Sequence, residues 1–303
     1  MDYLNYIYEH FPIRRKPGQK SAFQSFIISE SENHCKEAKI EINDKHQNIV
    51  IGNVEKAKVI FTAHYDTPCS SLIPNLMLPR NPFVCYLYHF GYPITLAMLA
   101  LIVSRLLQTA LTLDDRMWAV LYIVLYLGVY WLATRTFTNK HNKNDNTSGV
   151  AAVMSIMEKC KRDDVAYILF DDEEKGLLGS KAYNKAYKDM MADKLVVNLD
   201  CVGVGEQFIT IANPDAEKHA EYELFKNIFV GNDTYKVVRT PKRGSMANSD
   251  HKNFKCGVGV VSCKKNRAVG YYTSKIHTNK DTEAYSENIE FLSERLCEFA
   301  NQI

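Results

Sequence analysis

Two uncharged apolar runs sit close together in the middle of the chain, and any fold must first accommodate them. Phe83–Val103 spans 21 residues with no Asp, Glu, Lys or Arg, one His (His89) and one Pro; Met117–Ala133 spans 17 with no charge at all. As helices they would reach about 31 Å and about 26 Å, against a bilayer core of about 30 Å. Trp118 and Trp131 lie near the two ends of the second run, as interfacial anchors do, and Asp114-Asp115-Arg116 makes a polar tip between the runs. The expectation is an inserted hydrophobic helical hairpin over 83–137, a transmembrane pair that meets a lipid bilayer through 83–133. The pattern also admits a soluble hairpin lying over the rest of the chain as a lid or a dimer contact. Tyr122, Tyr126 and Tyr130 recur every four residues, a stripe of hydroxyls that bare lipid would not satisfy, although the stripe could equally face the partner helix.

The residues on either side, 1–82 and 138–303, read as one discontinuous domain. Apolar residues make up 46% of the 303 and charged residues 24%, which excludes a disordered, collagen-like or disulfide-scaffold chain. Lys and Arg (37) nearly balance Asp and Glu (35), so no global field favours nucleic acid, and none is expected as a partner. The start, MDYLNYIYEHFPIRRKPG, has early acids and no apolar core followed by a small-residue cleavage site, so no secretory signal is expected. The eight cysteines form no C-x-x-C pair and read as reduced thiols in a cytosolic setting.

Residues 1–34 read as helix interrupted at Pro12 and Pro17. From Ala38 the period switches to two, and strands are expected at 39–42, 48–51, 58–63, 165–170, 195–199, 208–212 and 258–262. Helices are expected at 147–160, 177–187, 217–229 and 287–300. The alternation predicts an α/β fold with a mixed central β-sheet flanked by helices. Polar residues crowd the C-terminal ends of three of these strands, where open α/β sheets place their sites.

Metal-capable residues recur where apolar strands end: His64-Tyr-Asp66, Asp171-Asp172-Glu173-Glu174, Asp200, and, near the end of the chain, His277. Asp145 opens a helix in a turn bearing Asn and Gly. In His64-x-Asp66 one ring nitrogen can ligate a metal while the carboxylate accepts from the other, fixing the tautomer. A carboxylate at Asp145 can bridge two cations. Glu173 and Glu174 are neighbours that point opposite ways in extended chain, so one can bind metal while the other holds the attacking water. Asp200 closes one metal site and His277 adds the last nitrogen. Two histidines and three carboxylates, one of them bridging, give each of two metals three protein ligands. Nitrogen and oxygen donors without thiolate suit zinc, with cobalt or manganese as alternatives. Glu173 would act as general base. Asp171 and Asp172 read as a solvated acid run.

The set HYDT, NDNTSG, DDEEKGLLGS, NLD and IHTNKDT, five motifs in family order, resembles peptidase family M28, the di-zinc aminopeptidases. The likeness covers roughly residues 38–69 and 142–300. It implies a zinc-exopeptidase-like α/β sandwich around a mixed sheet, two zinc ions (Zn2+) and a peptide substrate. It makes His64, Asp145 and Asp200 ligands of one zinc, and Asp145, Glu174 and His277 ligands of the other. Glu173 becomes the base and Asp66 the residue that orients His64. The family often sets an aromatic residue near the oxyanion, and Tyr271 or Tyr272 is the candidate here. His251, in Ser249-Asp250-His251, is a rival for the last nitrogen, although such segments recur in the family outside the metal shell. The sequence departs from the family in the 80 residues between His64 and Asp145, where a short loop is usual.

Both of those residues must reach one site, so the insert must cross a membrane an even number of times. The flanks carry Arg80, Arg135, Lys140 and Lys143, the tip Arg105 and Arg116 beside two Asp, a bias that favours a cytoplasmic catalytic domain. The expected activity is an aminopeptidase. The alternatives are another zinc amide hydrolase, a glutaminyl-cyclase-like transferase (the family's cyclase branch uses one zinc), or a catalytically retired membrane-bound receptor or scaffold.

Overall fold

The computed structural model describes residues 1–135, 137–241 and 248–303. Thr136, inside the expected insert, lies outside them. The chain opens with α1 (Tyr3–His10) and α2 (Pro17–Asn33), then β1 (Ala38–Asn43), β2 (His46–Ile51), β3 (Val59–His64) and the short β4 (Cys69–Ser70). The insert forms α3 (Pro82–Leu111) and α4 (Asp115–Arg135). The chain returns through β5 (Phe137–Thr138), α5 (Gly149–Lys159), β6 (Val165–Phe170), α6 (Leu178–Ala186), α7 (Lys188–Met191), β7 (Leu195–Leu199) and β8 (Gln207–Ala212). It closes with α8 (Ala220–Ile228), β9 (Lys236–Pro241), β10 (Gly257–Asn266), β11 (Gly270–Tyr272) and α9 (Ser286–Gln302).

The main sheet has the order β1-β2-β6-β3-β7-β10-β8-β9, with β11 added to β10. Its centre, β6-β3-β7-β10, is parallel, while β2 meets β6 and β8 meets β10 antiparallel. The expected mixed sheet is therefore present. Parallel central strands must be covered on both faces, which is why VIFTAH and VAYILF are buried throughout. Along β3, Val59, Phe61 and Ala63 enter one core layer with α1, α2, α5, α8 and α9, and Ile60 enters the other with α6 and α7. Strands β9 and β11, absent from the sequence reading, extend the sheet where apolar residues are interrupted by Lys, Arg and Tyr. All eight cysteines are unpaired.

The hairpin is present and longer than the apolar runs. Its helices, of 30 and 21 residues, would measure about 45 Å and about 31 Å. They pack on each other, yet in their most apolar windows only 11% and 6% of residues are buried. Large side chains such as Phe90, Ile94, Ile102, Leu106, Ile123, Val124 and Leu127 face outward. The root is tied to the α/β domain: β4 pairs with β5, the Leu72 N–H and Ser71 hydroxyl each reach the Ala133 carbonyl at 2.8 Å, and the Tyr88 hydroxyl reaches the Pro74 carbonyl at 2.7 Å. Trp118 departs from its expected role as an outward anchor. It donates to the Ser104 hydroxyl of α3 at 3.1 Å and lies under the Arg105 guanidinium at 3.5 Å. Tyr122, Tyr126 and Tyr130 continue that half-buried stack, so the aromatic stripe belongs to the helix-facing side.

Candidate metal centre

Three parallel strands deliver candidate residues to one edge of the sheet. β3 ends on His64, β6 runs through Asp171 and Asp172 into a tight turn over Glu173–Lys175, and β7 ends one residue before Asp200. Asp145 sits in the wide turn Lys143–Ser148 that leads into α5, and the Asp145–Asn146 peptide bond is cis. His277 lies in the loop between β11 and α9.

These residues, far apart in sequence, meet. Asp145 divides its two oxygens between two histidines: Oδ1 is 3.3 Å from His64 Nε2, and Oδ2 is 3.0 Å from His277 Nε2. Asp200 Oδ1 is 3.7 Å from His64 Nε2, and Glu174 Oε2 is 3.3 Å from His277 Nε2. Two triplets, His64–Asp145–Asp200 and Asp145–Glu174–His277, each bring three ligating atoms within 4.8 Å of one another, and Glu173 lies within the same reach of His64 and Glu174. Among the described residues Glu174 Oε1 is buried without a hydrogen-bond partner, an orphan acceptor that a cation would satisfy. The donor set of imidazoles and carboxylates fits zinc.

Charge follows the crowding. Burial works against ionising Asp145, but the His277 and His64 rings beside it hold its carboxyl below the usual range. Burial likewise opposes a charge on His64, yet Glu173, Asp145, Asp200 and Asp66 raise it well above ordinary histidine; Glu174 and Asp145 do the same for His277. Burial drives Glu173 well up, opposed by His64 and reinforced by Glu174 and Asp200.

Two further carboxylates hold the backbone that presents these groups. Asp66 lies 3.4 Å from His64 Nδ1. It also accepts the Glu173 N–H at 3.0 Å and the Glu174 N–H at 3.2 Å. Asp281 does the equivalent across the site, accepting the N–H groups of Asn144 at 3.1 Å and Asp145 at 3.0 Å. Asn146 ties the same turn to β7 through the Leu199 carbonyl at 3.0 Å and the Cys201 N–H at 3.1 Å. A Cβ on Gly149 would stand 2.3 Å from the Leu199 carbonyl oxygen, so this approach requires glycine. Asp172, Cys201 and His277 all take left-handed backbone, φ 52° to 58°, unusual for residues with side chains and concentrated at functional sites.

One sequence expectation changes, and the rival candidates stand away from the centre. Asp171 and Asp172 are buried, not solvated: Lys20 bridges both, and Lys175 and His46 reach Asp172 at 2.8 Å each. That cluster meets the distance requirement of a metal site, but the Lys20 ammonium already occupies its centre. His251 is buried and belongs to no group of converging ligand atoms among the described residues. Tyr271 sits between Arg80 and Lys265, and neither it nor Tyr272 lines the cleft beside His277.

Sequence reasoning missed Arg14, which is fully buried. It donates to the Tyr65 carbonyl, the Phe11 carbonyl and the Thr147 hydroxyl. It thereby joins the loop after His64 to the turn that carries Asp145. Burial lowers its pKa to about 10, against the pull of Asp66 and Asp145. Within IRRKPG it reads as one more surface cation, and no local signal separates it.

A cleft of ≈ 470 Å³ opens beside the centre, lined by Arg15, Lys20, Asp66, Thr134, Glu174 and His277 among others.

Solved structures share this architecture. The Legionella pneumophila LapA aminopeptidase superposes with a TM-score of 0.60 at 12% identity, covering 99% of this chain and 68% of that one. A Zn-dependent exopeptidase from Parabacteroides distasonis gives 0.60 at 14%, covering 99% and 96%. The Porphyromonas gingivalis glutaminyl cyclase gives 0.61 at 14%, covering 99% and 97%. No curated protein matches the chain in sequence. The model of peptidase family M28 matches residues 137–292, just over half of the chain and the stretch that supplies Asp145, Glu173, Glu174, Asp200 and His277. By that match, and with the fold those structures share, the chain belongs to peptidase family M28.

Proposed function

We propose that the chain is a zinc-dependent aminopeptidase held at a membrane by its helical hairpin. One observation carries the catalytic part: the two oxygens of Asp145 face different histidines, at 3.3 and 3.0 Å. That disposition supports a pair of ions sharing one carboxylate. His64, Asp145 and Asp200 would hold one zinc, and Asp145, Glu174 and His277 the other. Each ion would then have three protein ligands and leave open positions for water and substrate. Bound there, the pair supplies Lewis acidity toward the scissile carbonyl.

Glu173 is the general base. Its half-buried carboxylate has a high proton affinity, takes a proton from the attacking water and delivers it to the leaving amine nitrogen. Asp66 positions it by gripping its backbone N–H and that of Glu174, while also facing His64 Nδ1. Glu173→Gln should lower kcat by about 10²–10⁴-fold with the metal content unchanged. An unaltered kcat would reject the role.

The reaction class is tested on peptides with free, blocked and glutaminyl N-termini. Release of amino acids from free N-termini alone supports the aminopeptidase. Ammonia released from glutaminyl peptides, with a cyclised product, would favour the transferase chemistry that the glutaminyl cyclase fold also carries.

Residues 1–82 and 138–303 form the catalytic domain in this reading, and 83–137 the membrane hairpin, with the catalytic domain on the cytoplasmic side. The outward apolar side chains of α3 and α4 support the membrane placement, and the Arg and Lys flanking the hairpin support the cytoplasmic side. A second cleft, lined by Pro74, His89, Tyr92, Thr134 and His277, adjoins the hairpin root. It shares Thr134 and His277 with the first, which supports a centre that opens toward the hairpin root and, with the hairpin in a membrane, would meet membrane-proximal peptides.

A further inference from the structure

The cleft beside the metal centre is lined by groups of both signs. Asp66, Asp172, Glu174 and His277 line it together with the cations Arg15, Lys16, Lys20 and Lys175. Lys20 and Lys175 are already balanced, since they pair with Asp171 and Asp172.

Arg15 and Lys16 make no ion pair with a carboxylate in the described residues. Arg15 is half-buried and held in place. Its Nη1 donates to the Thr67 carbonyl at 3.1 Å, one residue beyond Asp66, and its backbone N–H meets Gln19 Oε1 at 3.3 Å. The guanidinium is thus fixed to the loop that follows His64, with donors left over. Lys16 is exposed beside it and caps α2, whose dipole adds positive potential at the same place.

Resting on the aminopeptidase reading, we propose that Arg15 and Lys16 bind a carboxylate of the substrate in the cleft they share with Glu174 and His277. A fixed guanidinium suits that group because its paired N–H donors match the two oxygens. The volume, ≈ 470 Å³, falls in the range of small-ligand sites, about 300–1,000 Å³. The favoured substrates are short peptides that end in a free carboxylate, or peptides with an acidic side chain near the N-terminus.

The test uses the full chain in detergent carrying Glu173→Gln, so that binding is read whether or not hydrolysis occurs. Calorimetry compares Ala-Ala-Ala, its C-terminal amide, and the Ala-Asp-Ala amide, with and without the added pair Arg15→Gln and Lys16→Gln. The proposal expects Ala-Ala-Ala to bind at least about tenfold more tightly than its amide, and the added pair to bring the two within about twofold. Tight binding of the Ala-Asp-Ala amide would assign the site to any carboxylate, and weak binding to the chain terminus alone. Equal affinity for acid and amide, or a preference that survives loss of both cations, would overturn it. Absence of hydrolysis by the Glu173-bearing chain would instead defeat the aminopeptidase reading and leave this binding result standing.

Discussion

Strand β3 and helix α4 are both built from apolar residues, and the molecule treats them in opposite ways. Every residue of β3 is buried, whereas Val120, Ile123, Val124, Leu127 and Leu132 of α4 point away from the protein. Composition alone does not say where an apolar segment goes. β3 has neighbours on both edges and helices on both faces, so its side chains are enclosed. α4 has a partner on one face only, and its aromatic stripe takes that face. A pair of helices with so much exposed apolar surface is unusual for a soluble monomer, and in the proposed membrane reading a bilayer would remove the excess.

The sharpest way to break this contrast is extraction. Membranes carrying the chain, washed with alkaline carbonate, should retain essentially all of it; complete release into the soluble fraction would end the membrane reading.

One substitution made twice sharpens it further. Ile60 is fully buried and Ile123 is 54% exposed. Ile60→Ala should destabilise the chain by about 2–5 kcal/mol. Ile123→Ala, measured in detergent, should stay within about 0.5 kcal/mol. Comparable losses of Tm at both positions would place the outer face of α4 against protein.

Within the α/β part, Asp281→Ala should weaken metal affinity by about 10–100-fold, the usual effect of losing a residue that orients ligands, because Asn144 and Asp145 lose their common backbone acceptor. Competition with a chelator reads it, and an unchanged affinity would leave Asp281 a merely structural group.

The smallest effect is in pH. Burial raises the Asp250 carboxyl to about 7, with His64 and Ser180 opposing and Asp200 reinforcing. An unfolded aspartate titrates near about 3.9. The folded, metal-free chain therefore holds the extra proton through that window, and the Asp250 contribution to stability falls as pH rises toward 7 and stays low above it. Asp250→Asn, which keeps an acceptor for Ser180, should raise the metal-free Tm at pH 8 and leave it near wild type at pH 4. An equal change at both values would contradict the assignment.

The same contrast explains what could be read in advance. Buried strands such as VIFTAH and VVNL announce themselves because a two-sided sheet position needs an uninterrupted apolar run. His64, Glu173, Glu174 and Asp200 were legible because they end or follow such runs, whereas Asp145 and His277 lie in polar loops and stood out only through the family motifs. The grips of Asp66 and Asp281 on backbone N–H groups were not, since they depend on tertiary register: Asp66 meets Glu173 across 107 positions and Asp281 meets Asp145 across 136. Asp171 and Asp172 looked solvated because their counterion, Lys20, stands some 150 residues away. Trp118 looked like an anchor because a helical run does not say which side its partner takes.

The central claim is that five side chains clasp two divalent ions around a shared carboxylate. Metal analysis of the purified chain tests it most directly. The account predicts two zinc equivalents per chain, with both sites weakened by Asp145→Ala. A single equivalent in the wild-type chain, or two that survive the loss of Asp145 unchanged, would contradict it.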